Sequence, residues 1–565
     1  MSGRRLENPA DMGNAAPHLN GESEYPSGLR LALIFTSLVL AVFLVALDAT
    51  IIATAIPTIT SEFNSLLDVS WYNSVFLLTN SAFQLPFGRA YALLNTKWTY
   101  MASIVIFEIG SVVCGTAPNS IALIIGRAIQ GTGGAGIFGG AFIITAEAVP
   151  LARRAVFTAS LGGAFGIASV IGPLLGGVFT TNVTWRWCFY INLPLGGLVL
   201  AAVFFCLSNL KSKDPNRFKD KSRLQIANKF DPVGTALLLP SIICLLLALQ
   251  WGVQYSWSSS RVIATFVVFG VTIIAWVVVQ LRAGEEATLP WKVVSQRTVA
   301  CAALYGLFAG SAFALIVYYL PLWFQTILAN TPQQSGIHQL PTILSLVLFS
   351  LAAGGLVVKF GRYVPFFYLG TLSLSVGSGL LSTLKPSASI GEWIGFQIIF
   401  AAGVGLSLEQ TNIAVQTVLA EKDIPAGTSL MVFARSLGGA LAVGIGQTVF
   451  EQRLRGLLRS GVPELGTEVV NQLVSGSGAT DLVRNVQMAV GGNQGIVKTV
   501  IGLYNTALTN SFYVAVAFSA LTILPCLGIE WRSVKKENKN EELRDEEKAS
   551  QENGESEEDH VRDEV

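Results

Sequence analysis

The run LALIFTSLVLAVFLVALDATIIATAI, residues 31–56, decides the fold. It exceeds the ~20 apolar residues that cross ~30 Å of hydrocarbon. Its one ionisable side chain is Asp48. Similar runs recur along all 565 residues, of which 52% are hydrophobic and 13% charged. Soluble domains carry roughly 25% charged residues. The pattern predicts fourteen spans, at roughly 31–56, 70–90, 99–117, 120–144, 156–180, 188–208, 233–252, 262–281, 299–324, 338–358, 364–384, 391–418, 428–450 and 509–529. The chain therefore reads as an all-α integral membrane protein that crosses the bilayer many times.

Lys and Arg set the orientation, because short cytoplasmic loops carry them in excess. With the N-terminus inside, the inner loops hold 17 basic residues, from Arg89 to Lys422, against 3 outside (Arg186, Arg261 and Lys385). An even span count returns the C-terminus to the cytosol. The expected organisation is a disordered N-terminus at 1–30, a six-helix bundle at 31–208 and a basic loop at 209–232. Two linker helices follow at 233–281. A second six-helix bundle spans 282–530 with an outer loop at 451–508, and an acidic disordered tail covers 531–565. The N-terminus lacks the apolar core and cleavage site of a signal peptide. The seven basic residues of Lys211–Lys229 suit anionic inner-leaflet lipid rather than nucleic acid. The six cysteines are scattered without a CxxC pair, and the three histidines are too distant in sequence to suggest a metal.

Two stretches echo each other. GRAYALLNTK (Gly88–Lys97) follows the second span, and GGLVVKFGRY (Gly354–Tyr363) follows the tenth. Many transporters are built from two such related halves, with the substrate site between them. Glycine spacing marks GRAIQGTGGAG (Gly126–Gly136) and GIASVIGPLLGG (Gly166–Gly177). Small residues three or four apart let helix backbones approach closely. Gly172, Gly176 and Gly177 are the candidate packing positions, and Pro173 makes the fifth span pliable.

Together LDATIIATAIP, LIIGRAIQGTGGAG and GPLLGG resemble, in order, the signatures of the major facilitator superfamily. The fourteen spans are similar to its drug:proton antiporter branch. FEIGSVVCGTAPN and WRWCFYINLPLGG resemble fungal members that export toxins and secondary metabolites. The resemblance covers about residues 31–530 and implies two six-helix bundles plus two extra central helices. It implies a monomeric, multi-pass exporter in the plasma membrane that works by alternating access, with small molecules, protons and the bilayer as partners. One departure matters: the family's acidic position after span two is Ala92 here, and its second copy has Val358. The charge latch between the halves is thereby in doubt.

An ionised Asp at a helix centre costs ~2.5–3.5 kcal/mol even on a mild insertion scale. At ~1.5 Å per residue, Asp48 lies ~13 Å and Arg127 ~10 Å from the outer face. In the resembled fold both spans line the cavity. Asp48 then either takes up the coupling proton with Arg127 as modulator, or forms a fixed pair that pins two helices. Glu108 is expected to make a structural bond. Glu409, able to pair with Arg435, is a second proton candidate. Gln410, Asn412, Phe313 and Tyr318 are candidates for the substrate cavity. Trp323 and Phe324 are expected at the lipid interface. Asn182 opens an Asn-Val-Thr sequon on an outer loop.

No GxxxxGK[ST] loop is present, so ATP does not drive the protein directly, and no HExxH, GxSxG or metal-ligand cluster suggests an enzyme or a cofactor. An importer of the same fold, for a siderophore or nutrient, and a non-transporting sensor remain as alternatives.

Overall fold

The computed structural model describes residues 25–63, 65, 68–207, 222, 225, 228–255, 257–463, 470 and 493–535. Most of the predicted N-terminal segment, most of the basic loop, the middle of the outer loop and the tail beyond 535 lie outside them.

The chain is a succession of long helices. In the first half they are α1 (Gly28–Phe63), α2 (Val69–Leu93), α3 (Thr96–Gly115), α4 (Ser120–Ala148), α5 (Leu151–Asn182) and α6 (Asn192–Cys206), the last preceded by a single turn at Trp187–Tyr190. Then come α7 (Pro232–Tyr255) and α8 (Ser260–Ala283). The second half holds α9 (Arg297–Thr326), α10 (Leu340–Phe360), α11 (Val364–Leu381), α12 (Ile390–Ser407, continued by Gln410–Val418), α13 (Ile424–Gly461) and α14 (Gln494–Leu521). Among the described residues, 13 helices are long and apolar enough to cross a membrane. The fourteenth expected span, α2, has the length but carries Asn73, Asn80, Gln84 and Arg89. Its polarity is tolerable because it packs between α4 and α13.

Two limits differ from the sequence reading by more than ten residues. α13 runs to Gly461 rather than 450, and α14 starts at Gln494 rather than 509. Both extensions bury apolar side chains one turn apart, Leu454 with Leu458 and Val500 with Tyr504, in the core of the second half. The rings of Phe450 and Tyr504 meet at 5.2 Å. That burial holds the extra turns helical.

α7 and α8 stand mid-chain but lie at the edge in space. α7 packs on α2 and α13, whereas α8 packs mainly on α7 and buries only Val262 and Gln280. Asp231 clasps their basic-loop ends together. Its φ is +51°, and its carboxylate accepts from Gly234 N (2.8 Å), Thr288 N (2.9 Å), Thr288 Oγ1 (2.8 Å) and Gln280 Nε2. Burial pushes the Asp231 carboxyl up, but these donors outweigh it and hold it below its ordinary value. Replacing Asp231 by Ala strands those donors and is expected to cost ~1–3 kcal/mol. Because the folded value is depressed, the carboxylate's contribution is complete above about pH 4 and fades as pH falls through the folded value. Thermal melts of the wild type and the Ala variant should therefore converge on acidification.

At the end bearing the basic loops the two halves close on each other. A Cβ on Gly88 of α2 would overlap Ser429 of α13, and one on Gly354 of α10 would stand 2.7 Å from the Ala155 carbonyl of α5. The two glycines that open the echoed stretches thus occupy matching places at the seam between halves. Ala92 lines a cavity of about 440 Å³ with Arg154, Glu147 and Pro425. Nearby, Arg89 donates to the carbonyls of Lys229 (2.9 Å) and Glu285 (3.2 Å), tying α2 to the two-helix insert.

Candidate functional site

Five helices converge on Asp48. The carboxylate and the Arg127 guanidinium are both fully buried and form an ion pair. Asp48 Oδ1 also accepts from Gln130 Nε2 (2.9 Å) and Asn192 Nδ2 (3.1 Å). Both amides donate in turn to Ser111 Oγ, at 2.9 and 3.2 Å. Arg127 Nε donates to the Tyr72 carbonyl at 2.9 Å, and the guanidinium lies over the Phe76 ring, 4.4 Å from its centre. A buried ion pair is tolerable only when most of its remaining donors and acceptors are met; here α2, α4 and α6 meet all but Arg127 Nη2, which is buried without a partner.

The sequence reading paired Asp48 with Arg127 but missed Gln130, Asn192 and Ser111. Gln130 stood in plain view, three residues after Arg127 and so on the same helix face.

α5 reaches this site from the side. A Cβ on Gly172 would stand 2.9 Å from Thr50 Cβ and 3.1 Å from Ile51 N, and one on Gly176 would overlap the Ile51 carbonyl. The helix containing Pro173 therefore presses on the turn just after Asp48. Gly177 meets nothing within 4 Å, so the expected close packing rests on the other two glycines. Asn182 ends α5 and is exposed.

The second half has its own ion pair. Arg435 Nη1 and Glu409 Oε1 are 3.0 Å apart, at the interruption of α12. A Cβ on Gly162 of α5 would approach Glu409 Oε1 to 2.8 Å, and Arg435 lies 5.9 Å from the Phe165 ring centre. Gln410 and Asn412 are buried beside it, and neither Gln410 side-chain atom nor Asn412 Oδ1 has a partner. Phe313 is half-buried on α9. Tyr318 is 52% exposed there, with its ring 4.9 Å from that of Tyr319.

Trp323 and Phe324, expected at the lipid interface, are instead fully buried. Trp323 Nε1 donates to Asn505 Oδ1 at 2.7 Å, and Phe324 packs edge-on against Trp393. Their indole and phenyl groups fill the core of the second half.

Two helical halves around buried ion pairs, with an interrupted helix at one of them, are the build of many membrane transporters. Residues 38–443 match the family described as the Major Facilitator Superfamily, and the chain belongs to that family. The MFS-type efflux pump MFS1 of Arthroderma benhamiae is 48% identical over 510 residues, covering 90% of this chain and 93% of that protein. Efflux pump aflT of Aspergillus parasiticus is 45% identical over 515 residues, covering 91% of this chain and 98% of its own length. Efflux pump roqT of Penicillium rubens is 43% identical over 532 residues, covering 94% and 96%. Among solved structures, the proton:xylose symporter XylE bound to 6-bromo-6-deoxy-D-glucose has a TM-score of 0.54 at 14% identity, covering 87% of this chain and 94% of that one. That likeness carries the fold alone. The resemblance read from the motifs, to fungal efflux pumps of this superfamily, is borne out by these relatives.

Proposed function

We propose that this protein exports small amphipathic molecules, of the class of fungal secondary metabolites, in exchange for protons. It acts as a monomer in the plasma membrane with both termini in the cytosol. The direction and cargo class rest on the names of the relatives. Proton exchange rests on one observation, the fully buried Asp48 held by a single cation and two amides. Protonating Asp48 cancels its attraction to Arg127, so proton arrival and release of the pair are one event.

α5 supplies the mechanical link. The same helix presses Gly172 and Gly176 onto the turn after Asp48, and Gly162 onto Glu409. Movement of the halves at the seam therefore bears on both ion pairs. Glu409, with Arg435, is the second proton-linked group of this scheme. Gln410 and Asn412 offer hydrogen bonds to cargo beside it, Phe313 and Tyr318 offer apolar area, and Asn182 is open to glycosylation.

The test is retention of a panel of labelled neutral and cationic amphipathic compounds in cells with and without the protein. Expressing cells should retain less of at least one compound, and the difference should shrink as external pH rises and the inward proton gradient falls. A difference insensitive to external pH removes proton coupling. Greater retention in expressing cells reverses the direction.

A further inference from the structure

Glu108 sits on α3, one turn before Ser111, and has no place in the network just described. The bond expected of it does not form: neither carboxylate oxygen has a hydrogen-bond partner, although both are buried. Around it α3 faces outward, with Val105, Ile109 and Val112 all largely exposed. Glu108 shares that side of the helix, three residues after Val105 and four before Val112. Its head folds in toward α6, where a Cβ on Gly196 would overlap Oε1 and stand 3.1 Å from Cγ.

Among the described residues no cation answers it. α6 has no ionisable side chain from Asn192 to Phe205. The preceding turn carries Cys188 and Tyr190. α4 offers Arg127, which is already engaged by Asp48, Gln130 and the Tyr72 carbonyl. α2 offers Tyr72 and Tyr91, bonded to Ser120 and to the Gly136 carbonyl, and Arg89, bonded to the insert. α3 itself adds Lys97, Tyr100 and Cys114. Among the described residues the carboxylate that bears on it is Asp48, a like charge. An ionised head in that setting has neither donor nor counter-charge, whereas a protonated one avoids the penalty.

We propose that Glu108 is a second proton-carrying carboxyl of the first half, protonated in this state and reachable from the lipid side between α3 and α6. This deepens the proton-exchange reading and rests on it for its role, but its chemistry can be read without transport.

The full-length protein in lipid nanodiscs is treated at neutral pH with dicyclohexylcarbodiimide, and adducts are located by peptide mass spectrometry. A protonated carboxyl adds across one C=N bond, its proton going to nitrogen and its oxygen to carbon. Acyl shift to nitrogen then gives a stable N-acylurea, and nothing leaves. The expected result is an adduct on Glu108, lost in Glu108→Gln, with no adduct at that position from a water-soluble carbodiimide. Gly196→Leu, which displaces the head, should lower the yield. Absence of the Glu108 adduct from folded, monodisperse protein overturns the proposal, as does equal labelling by the water-soluble reagent. In transport, Glu108→Gln should shift the external-pH profile, and an unshifted profile overturns the carrying role. Export that persists in Asp48→Asn removes the coupling at Asp48 and leaves the label standing; a missing label with Asp48 still essential removes this proposal alone.

Discussion

Asp48→Asn is expected to abolish proton-driven transport and also to destabilise the protein, and a second substitution separates the two effects. The Asn side chain keeps the size of Asp and can still meet Gln130 and Asn192. It leaves the fully buried Arg127 without a counter-charge. Removing one partner of a buried pair costs ~3–5 kcal/mol, mostly the penalty of the orphaned charge. Loss of transport in the single variant is therefore ambiguous. Adding Arg127→Gln removes the orphan, and replacing both charges of a buried pair is often near neutral. The double variant should recover most of the lost melting temperature in detergent while its transport stays absent. If the double variant transports as the wild type does, Asp48 is only a pin between helices and the proton-exchange reading falls. If both variants melt like the wild type, the pair is not closed in the membrane as described here.

Depth was legible in the sequence and direction was not. A rise of ~1.5 Å per residue placed Asp48 and Arg127 at similar levels, and the structure pairs them. The same rise put Glu409 and Arg435 within reach, and they too meet. The helix-making runs were equally plain, because a membrane demands length and apolarity that few other settings impose. Which way a side chain points around its helix depends on neighbours the local pattern does not contain. Trp323 and Phe324 were at the right depth for an interface belt, yet they face Asn505 and Trp393. Glu108 was at the right depth for a bond, yet it faces a glycine. Gly177 directly follows Gly176 but points to open space. Asn192 could not be linked to Asp48 from the sequence, because the contact joins α6 to α1 across the bundle. The bonds from Arg89 to the carbonyls of Lys229 and Glu285 likewise leave no trace in any motif.

Gly354→Leu is expected to stop transport by preventing the halves from closing, while Gly355→Leu, one residue on, is expected to be tolerated. At Gly354 the first side-chain atom would meet Ala155 O at 2.7 Å, Ala155 C at 3.0 Å and Val156 Cα at 3.1 Å. All three belong to the backbone of α5 and cannot rotate aside. At Gly355 a Cβ meets nothing within 4 Å, so the neighbour controls for hydrophobicity, size and helix propensity together. Overpacking a tight contact costs ~1–3 kcal/mol, often more where backbone must yield. Here the contact lies between two bodies, so the cheapest relief is separation of the seam rather than unfolding of either half. A bias of ~3 kcal/mol shifts a two-state balance by more than a hundredfold, enough to empty the closed state of a cycle that must visit it. The readouts are melting temperature, transport, and labelling of a cysteine placed at Ser429, which lies at the matching seam beside Gly88. With Leu at 354 that cysteine should react faster with a thiol reagent applied from the basic-loop side, transport should be lost, and the melt should stay cooperative. Equal transport by the two leucine variants would mean that the seam described here is not a state through which the protein cycles.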